Sequence, residues 1–251
     1  MGFTIAVAGK GGTGKTTLSA LVIRYLKRKS EGPILAVDAD PNANLGEALG
    51  LEVRETVGRV CDEMLEGAKI PPGMPKDTFM EYRIQETLIE SGGYDLLVMG
   101  RPEGPGCYCY ANTLVRKYID MLSGNYKYLV MDNEAGMEHL SRRTTRNVDI
   151  LILVSDPALR GIRTAQKLSD LADELRLGIG RRGLVINRVA GDLQPALGQE
   201  AEKLKLELLG VVPEDQLIHE YELGGKSLLD LPEDSPSVEV VRGMMENIGL
   251  A

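Results

Sequence analysis

Gly9-Lys10-Gly11-Gly12-Thr13-Gly14-Lys15-Thr16-Thr17 is the stretch from which the rest of the chain is read. It satisfies G-x-x-x-x-G-K-[ST], in which glycines let backbone N–H groups turn inward around phosphate oxygens. The preceding run, Phe3–Ala8, is short and apolar and reads as a strand. The following segment, Lys15–Lys29, places Leu18, Leu21, Val22, Tyr25 and Leu26 on one helical face. Strand, glycine turn and helix in that order are the context the motif requires, because the helix adds its positive N-terminal end to the cradle. The residues from Gly9 through Thr17 are therefore expected to bind ATP. Lys15 is expected on the β- and γ-phosphates and the Thr16 hydroxyl on Mg²⁺.

Outward from the loop, short apolar runs recur at Ile34–Val37, Leu96–Met99, Tyr128–Met131, Ile150–Val154, Leu184–Ile186 and Leu208–Val212. Most are continuous rather than alternating, as parallel strands buried on both faces must be. Helical periodicity appears at Val57–Leu65, Leu114–Leu122, Ile162–Leu175, Gln199–Leu206 and Val238–Ile248. This alternation predicts an α/β fold: a doubly wound, mostly parallel sheet flanked by helices, of the P-loop NTPase kind, with residues 1–251 forming one domain. The segment Gly67–Gly93, with Pro71, Pro72 and Pro75, is the least regular and reads as a surface excursion holding one edge strand.

The composition narrows the function classes. Hydrophobic residues make up 43% and charged residues 26%, enough for a core with a solvated surface. A formal net charge of −8 argues against nucleic acid as a partner, since that affinity rests on Lys and Arg neutralising phosphates. No apolar run approaches the ~20 residues that span a bilayer, and no basic and apolar leader precedes the first strand. The expectation is a cytoplasmic protein without a membrane partner. Of the three cysteines, Cys61 falls within an amphipathic helix and reads as a small buried hydrophobe.

Lys10 makes the loop unusual, because a lysine so early cannot easily fold back onto its own nucleotide. Lys10 through Thr16 match K-G-G-x-G-K-[ST], and here the chain resembles the deviant-Walker ATPases, the group containing nitrogenase iron protein, MinD, ParA and the arsenite and tail-anchored-protein ATPases. The resemblance implies that Lys10 reaches into a partner's site in an ATP-gated homodimer. It also implies catalytic roles for Lys10, Lys15, Asp40 and Asp132. Asp40, before Pro41, matches the switch I aspartate that positions the attacking water, and Asp38 lies near the outer shell of the Mg²⁺. Asp132 matches the Walker B carboxylate, and Glu134-Ala135-Gly136 corresponds to switch II. Carboxylates at strand ends beside the loop are what a hard cation needs. Asn187 and Arg188, with Pro213, Glu214 and Asp215, resemble the adenine-contacting segments.

A second constellation lies in Arg101-Pro102-Glu103-Gly104-Pro105-Gly106-Cys107-Tyr108-Cys109-Tyr110, leading into a helix capped near Asn112. Thiols before a helix N-terminus are placed to ionise, and thiolate is the metal-binding form. Cys107 and Cys109 supply two ligands where a tetrahedral site takes four, and a two-fold dimer supplies the other two. Two loop cysteines without a ligand remain the plain alternative. With Met137-Glu138-His139-Leu140-Ser141-Arg142, the C-x-C motif looks like the CooC group of nickel-inserting ATPases, and the extended loop is especially like the branch that includes AcsF. The resemblance implies ATP-driven delivery of Ni²⁺ to carbon monoxide dehydrogenase or to an acetyl-CoA synthase/CO dehydrogenase complex. Zn²⁺ suits the same thiolates. His139 stands as a ligand or as a structural helix residue.

Two rival readings belong to other classes. An iron–sulfur electron-transfer protein like nitrogenase reductase requires a cysteine just after the switch II carboxylate, where this chain has Asn133-Glu134-Ala135-Gly136. A MinD- or ParA-like positioning ATPase requires a basic lipid-binding helix or a basic DNA surface. The last helical segment, from Val238, carries one arginine and no lysine.

Overall fold

The central strands are apolar on both faces because each has a covered side above and below. Along the first strand, β1 (Phe3–Gly9), Ile5 and Val7 enter one core while Ala6 and Ala8 enter another. The same two-residue alternation holds in β2 (Ile34–Asp38), where Ala36 and Val37 point to opposite cores, and in β4 (Tyr94–Val98) at Leu96 and Leu97. This is the period of a pleated strand applied to an all-apolar run. The computed structural model describes residues 2–29, 32–101, 117–119, 121–122, 124–135 and 147–250. Cys107, Cys109, Asn112, Gly136 and the stretch around His139 lie outside the described residues.

The sheet has eight strands in the order β3-β4-β2-β5-β1-β6-β7-β8. The remaining strands are β3 (Ile89–Ser91), β5 (Tyr128–Ala135), β6 (Asn147–Ser155), β7 (Gly178–Val189) and β8 (Leu208–Pro213). All pairings are parallel except β3 with β4 at the edge. β1 lies between β5 and β6, so the loop that follows it emerges at the middle of the sheet's C-terminal edge. One face is covered by α1 (Lys15–Lys29), α2 (Leu45–Ala48) and α8 (Pro236–Asn247). The other is covered by α5 (Leu159–Glu174) and α6 (Pro195–Lys203) at one end, and by α3 (Val57–Leu65) and α4 (Lys76–Glu86) at the other. Cys61 is buried in that last cluster as a free thiol, and burial pushes it up to about 11.

Helix ends follow local chemistry. α1 has no acidic residue in its first turn and Lys27, Arg28 and Lys29 in its last, which suits the dipole and leaves the N-terminus open to an anion. α8 starts with Ser235 accepting from the Val238 N–H and Pro236 at the first position.

The structure corrects two expectations and describes part of a third. The irregular segment Gly67–Gly93 holds helix α4 as well as the edge strand β3, because Met80 and Ile84, one turn apart, give it a narrow buried stripe. The helix expected at Gln199–Leu206 begins at Pro195 and ends at Lys203, with proline at its first position. Of the helix expected at Leu114–Leu122, residues 117–119 and 121–122 are helical and the others lie outside the described residues. Helix α7 (Gln216–Leu223) escaped sequence reading because no residue of it is fully buried, Leu217, Ile218 and Tyr221 resting half-buried on the core.

Candidate nucleotide site

The loop from Gly9 to Thr17 is shaped by close approaches on both sides. A Cβ on Gly9 would lie 2.4 Å from the Val154 carbonyl of β6, so only glycine lets β1 and β6 run together there. Gly14 has φ +85° and a Cβ on it would sit 2.3 Å from Asn187 Nδ2. The turn is closed internally by the Lys10 carbonyl, which accepts from Thr13 Oγ1 at 2.9 Å and from Lys15 Nζ at 3.4 Å. Lys15 is buried beneath the loop, whereas Lys10 is exposed.

Asp132, at the C-terminal part of β5, accepts from Thr16 Oγ1 at 2.6 Å and from Ser19 Oγ at 3.3 Å. Burial pushes its carboxyl up to about 6 against the pull of those hydroxyls and Lys15. Ser19 was not read from the sequence; its spacing of three from Thr16, on the same helix face, is the signal that finds it. Asp38 is the neighbour of Asp132 in the β2–β5 register and is also buried. Burial, then the Asp132 charge, push it up to about 7. Its oxygens accept from the backbone N–H groups of Asp40 at 3.0 Å and Leu45 at 2.9 Å, so it organises the loop that carries Asp40 into α2. Asp40 is partly exposed, and its Oδ1 accepts from the Asn42 N–H and side-chain amide. The donor set of Thr16 hydroxyl and two buried carboxylates is all oxygen and fits a hard divalent cation such as Mg²⁺.

Two clefts meet over this framework. The first, about 500 Å³, is lined by the phosphate loop, Asp40, Glu134, α2 and Gly225, Lys226 and Leu228. The second, about 370 Å³, is lined by Asn187, Arg188, Pro213, Glu214, Asp215 and α7. Thr17, Arg188 and Glu222 line both, so the two form a continuous path. The five residues expected at adenine thus border one cleft, in distinct ways. Asn187 Nδ2 donates to the Thr13 carbonyl at 2.8 Å and Arg188 Nη1 to the Gly12 carbonyl at 3.0 Å, bracing the loop from β7. The Asp215 carboxylate accepts from the Leu217 N–H at the start of α7 and from Ser235 Oγ, holding α7 to the start of α8.

The CobQ/CobB/MinD/ParA nucleotide-binding domain model matches residues 4–228, from β1 through the cleft wall. The chain belongs to this family. It is an ATP-binding ATPase of that kind, and its fold is the MinD/ParA P-loop fold. An uncharacterized ATP-binding protein of Methanocaldococcus jannaschii is 44% identical over 247 residues, covering 97% of each chain. The carbon monoxide dehydrogenase accessory protein CooC of Rhodospirillum rubrum is 31% identical over 240 residues, covering 90% of this chain and 89% of its own. Among solved structures, the septum site-determining protein MinD of Pyrococcus horikoshii OT3, complexed with Mg-ADP, superposes with a TM-score of 0.73. It is 21% identical and covers 99% of this chain and 96% of its own. That similarity is one of fold. No helix among the described residues is long and apolar enough to cross a membrane.

Proposed function

We propose that this ATPase is a metal-delivery switch: an ATP-gated homodimer that carries a divalent metal, nickel or zinc, on Cys107 and Cys109 of both chains. Its client is carbon monoxide dehydrogenase or an acetyl-CoA synthase/CO dehydrogenase complex. The observation that carries the switch is the contrast between two lysines of one loop. Lys15 is buried and donates to the loop's own carbonyl, whereas the Lys10 ammonium is exposed, with no hydrogen bond or ion pair among the described residues. A positive charge presented outward beside a phosphate site suits a second nucleotide-bearing subunit. The cargo reading is supported by likeness to CooC over nearly the whole chain and by the C-x-C spacing.

Within one subunit the roles follow from position. The loop N–H groups, Lys15 and the start of α1 hold the phosphates. Thr16 would hold Mg²⁺ with Asp132 and Asp38 behind it, and the ion supplies charge to the phosphoryl oxygens. Asp40, on a loop fixed by Asp38, orients the lytic water, and such positioning provides much of the catalysis in phosphoryl transfer. Asn187 and Arg188 hold the loop, and the Pro213–Asp215 turn borders the base. A lipid-binding role of the MinD kind draws less support from α8. Its apolar residues Val238, Val241, Met244 and Met245 are spent in the core, and Arg242 is held by the Glu233 carbonyl.

Equilibrium dialysis of the purified protein against Ni²⁺ or Zn²⁺, with sizing of the complex, tests the cargo. One metal per dimer is expected, and none in the Cys107→Ser/Cys109→Ser double variant. Unchanged stoichiometry in that variant would remove the metal role and leave the ATPase switch.

A further inference from the structure

The wall of the nucleotide cleft contributed by α7 and the turn after it has no role in the site described above. Glu222 accepts a hydrogen bond from Thr17 Oγ1 at 3.2 Å. Thr17 lies in the first turn of α1, and both residues line the junction between the two clefts. A nucleotide running from one cleft to the other passes this junction, so its phosphates meet the Glu222 carboxylate at a hydroxyl they would otherwise take. Four residues further, Lys226 lines the phosphate cleft itself. Its ammonium stands 5.4 Å from the centroid of the Tyr221 ring, with no hydrogen bond or ion pair among the described residues.

The other two cations of the cleft are already engaged by the loop: Arg188 by the Gly12 carbonyl and Lys15 by the Lys10 carbonyl. Against these three cations the cleft sets four carboxylates, Asp40, Glu47, Glu134 and Glu222. A triphosphate adds several negative charges to that balance, so the one cation held only by a ring face is the one with most to gain from it. The movement asked for is one of side chains. The turn between Glu222 and Lys226 is held by the Gly225 N–H on the Glu222 carbonyl at 3.2 Å and by the Lys226 N–H on the Tyr221 carbonyl at 2.9 Å, with Gly225 at φ +59°.

We propose that Glu222–Lys226 is a charged strap over the nucleotide, anchored in the core by Leu228, in which the Lys226 side chain binds the polyphosphate chain and Glu222 gives up Thr17 when it does so. The proposal rests on the nucleotide reading of the cleft and is independent of the cargo. Glu222 and Lys226 then act with opposite sign, one opposing phosphate entry and the other holding it.

Titration of ATP, ADP and adenosine against wild type, Lys226→Ala, Lys226→Arg and Glu222→Gln, at low and high salt, tests this. Lys226→Ala should weaken ATP and ADP by about tenfold at low salt, less at high salt, and leave adenosine unchanged. Lys226→Arg should restore most of the loss, and Glu222→Gln should tighten ATP. Equal ATP affinity in Lys226→Ala and wild type, or weaker ATP binding in Glu222→Gln, would overturn the strap. A wild-type chain that binds no ATP would instead remove the nucleotide reading beneath it.

Discussion

The side-chain amide of Asn187 donates to the Thr13 carbonyl at 2.8 Å, joining the end of β7 to a phosphate loop 174 residues earlier in the chain. The same amide fills the space where a Cβ on Gly14 would lie. The loop's shape therefore depends on a residue that sequence reading associates with adenine.

Removing that brace has a predictable cost. Asn187→Ala leaves a buried carbonyl without its donor, worth about 1–3 kcal/mol. Because the loop is preorganised by this bond, ATP affinity should fall by about tenfold or more while the fold persists. Calorimetric titration with ATP checks it, and a variant binding ATP as tightly as wild type would show that the loop holds its shape without β7.

Asp40→Asn should separate binding from turnover. Asparagine keeps the Oδ1 that accepts from Asn42, so the loop conformation is retained. If Asp40 orients the lytic water as proposed, the negative charge that does so is lost, and hydrolysis should slow by about a hundredfold or more with ATP binding preserved. Phosphate release at the wild-type rate would show that another group positions the water.

The paired carboxylates at the strand ends predict an unusual pH dependence in protein freed of nucleotide and divalent cations. Asp38 and Asp132 are raised to about 7 and about 6, above their unfolded values. Their contribution to stability is therefore complete below the unfolded carboxylate range and is lost as pH rises through those folded values. The carboxylates held below the ordinary range by hydrogen bonds from surface arginines, such as Glu207 by Arg181 and Glu233 by Arg24, act on the acid side of that window. Thermal unfolding scans between about pH 5 and 8 should show a falling Tm, flattened in Asp38→Asn and by Mg-nucleotide. A Tm that rises across this range would contradict the buried-pair reading.

Much of this site is legible in the sequence, for identifiable reasons. The phosphate loop carries its own context, and the helix boundaries Lys15–Lys29 and Val57–Leu65 coincide with those observed because an apolar stripe and clear ends agree. Asp38 and Asp132 are visible as acids ending apolar strands. Their adjacency in the β2–β5 register is a fact of sheet order, and sheet order is not written in a local pattern. The same holds for Ser19, Glu222 and Lys226, ordinary helix and turn residues until the fold brings them to the cleft. α4 was hidden by a proline-rich approach and a narrow buried stripe, and α7 by an apolar face that is only half-buried. Cys107, Cys109 and His139 lie outside the described residues, so the cargo reading remains carried by sequence and likeness.

The central claim is that Lys10 works across a nucleotide-dependent dimer, and sedimentation velocity with a non-hydrolysable ATP analogue tests it most directly. Wild-type protein should shift from monomer to dimer mass on adding the analogue. Lys10→Ala should bind the analogue yet remain monomeric, with most ATP turnover lost. A Lys10→Ala chain that dimerises fully and hydrolyses ATP at the wild-type rate would contradict the account.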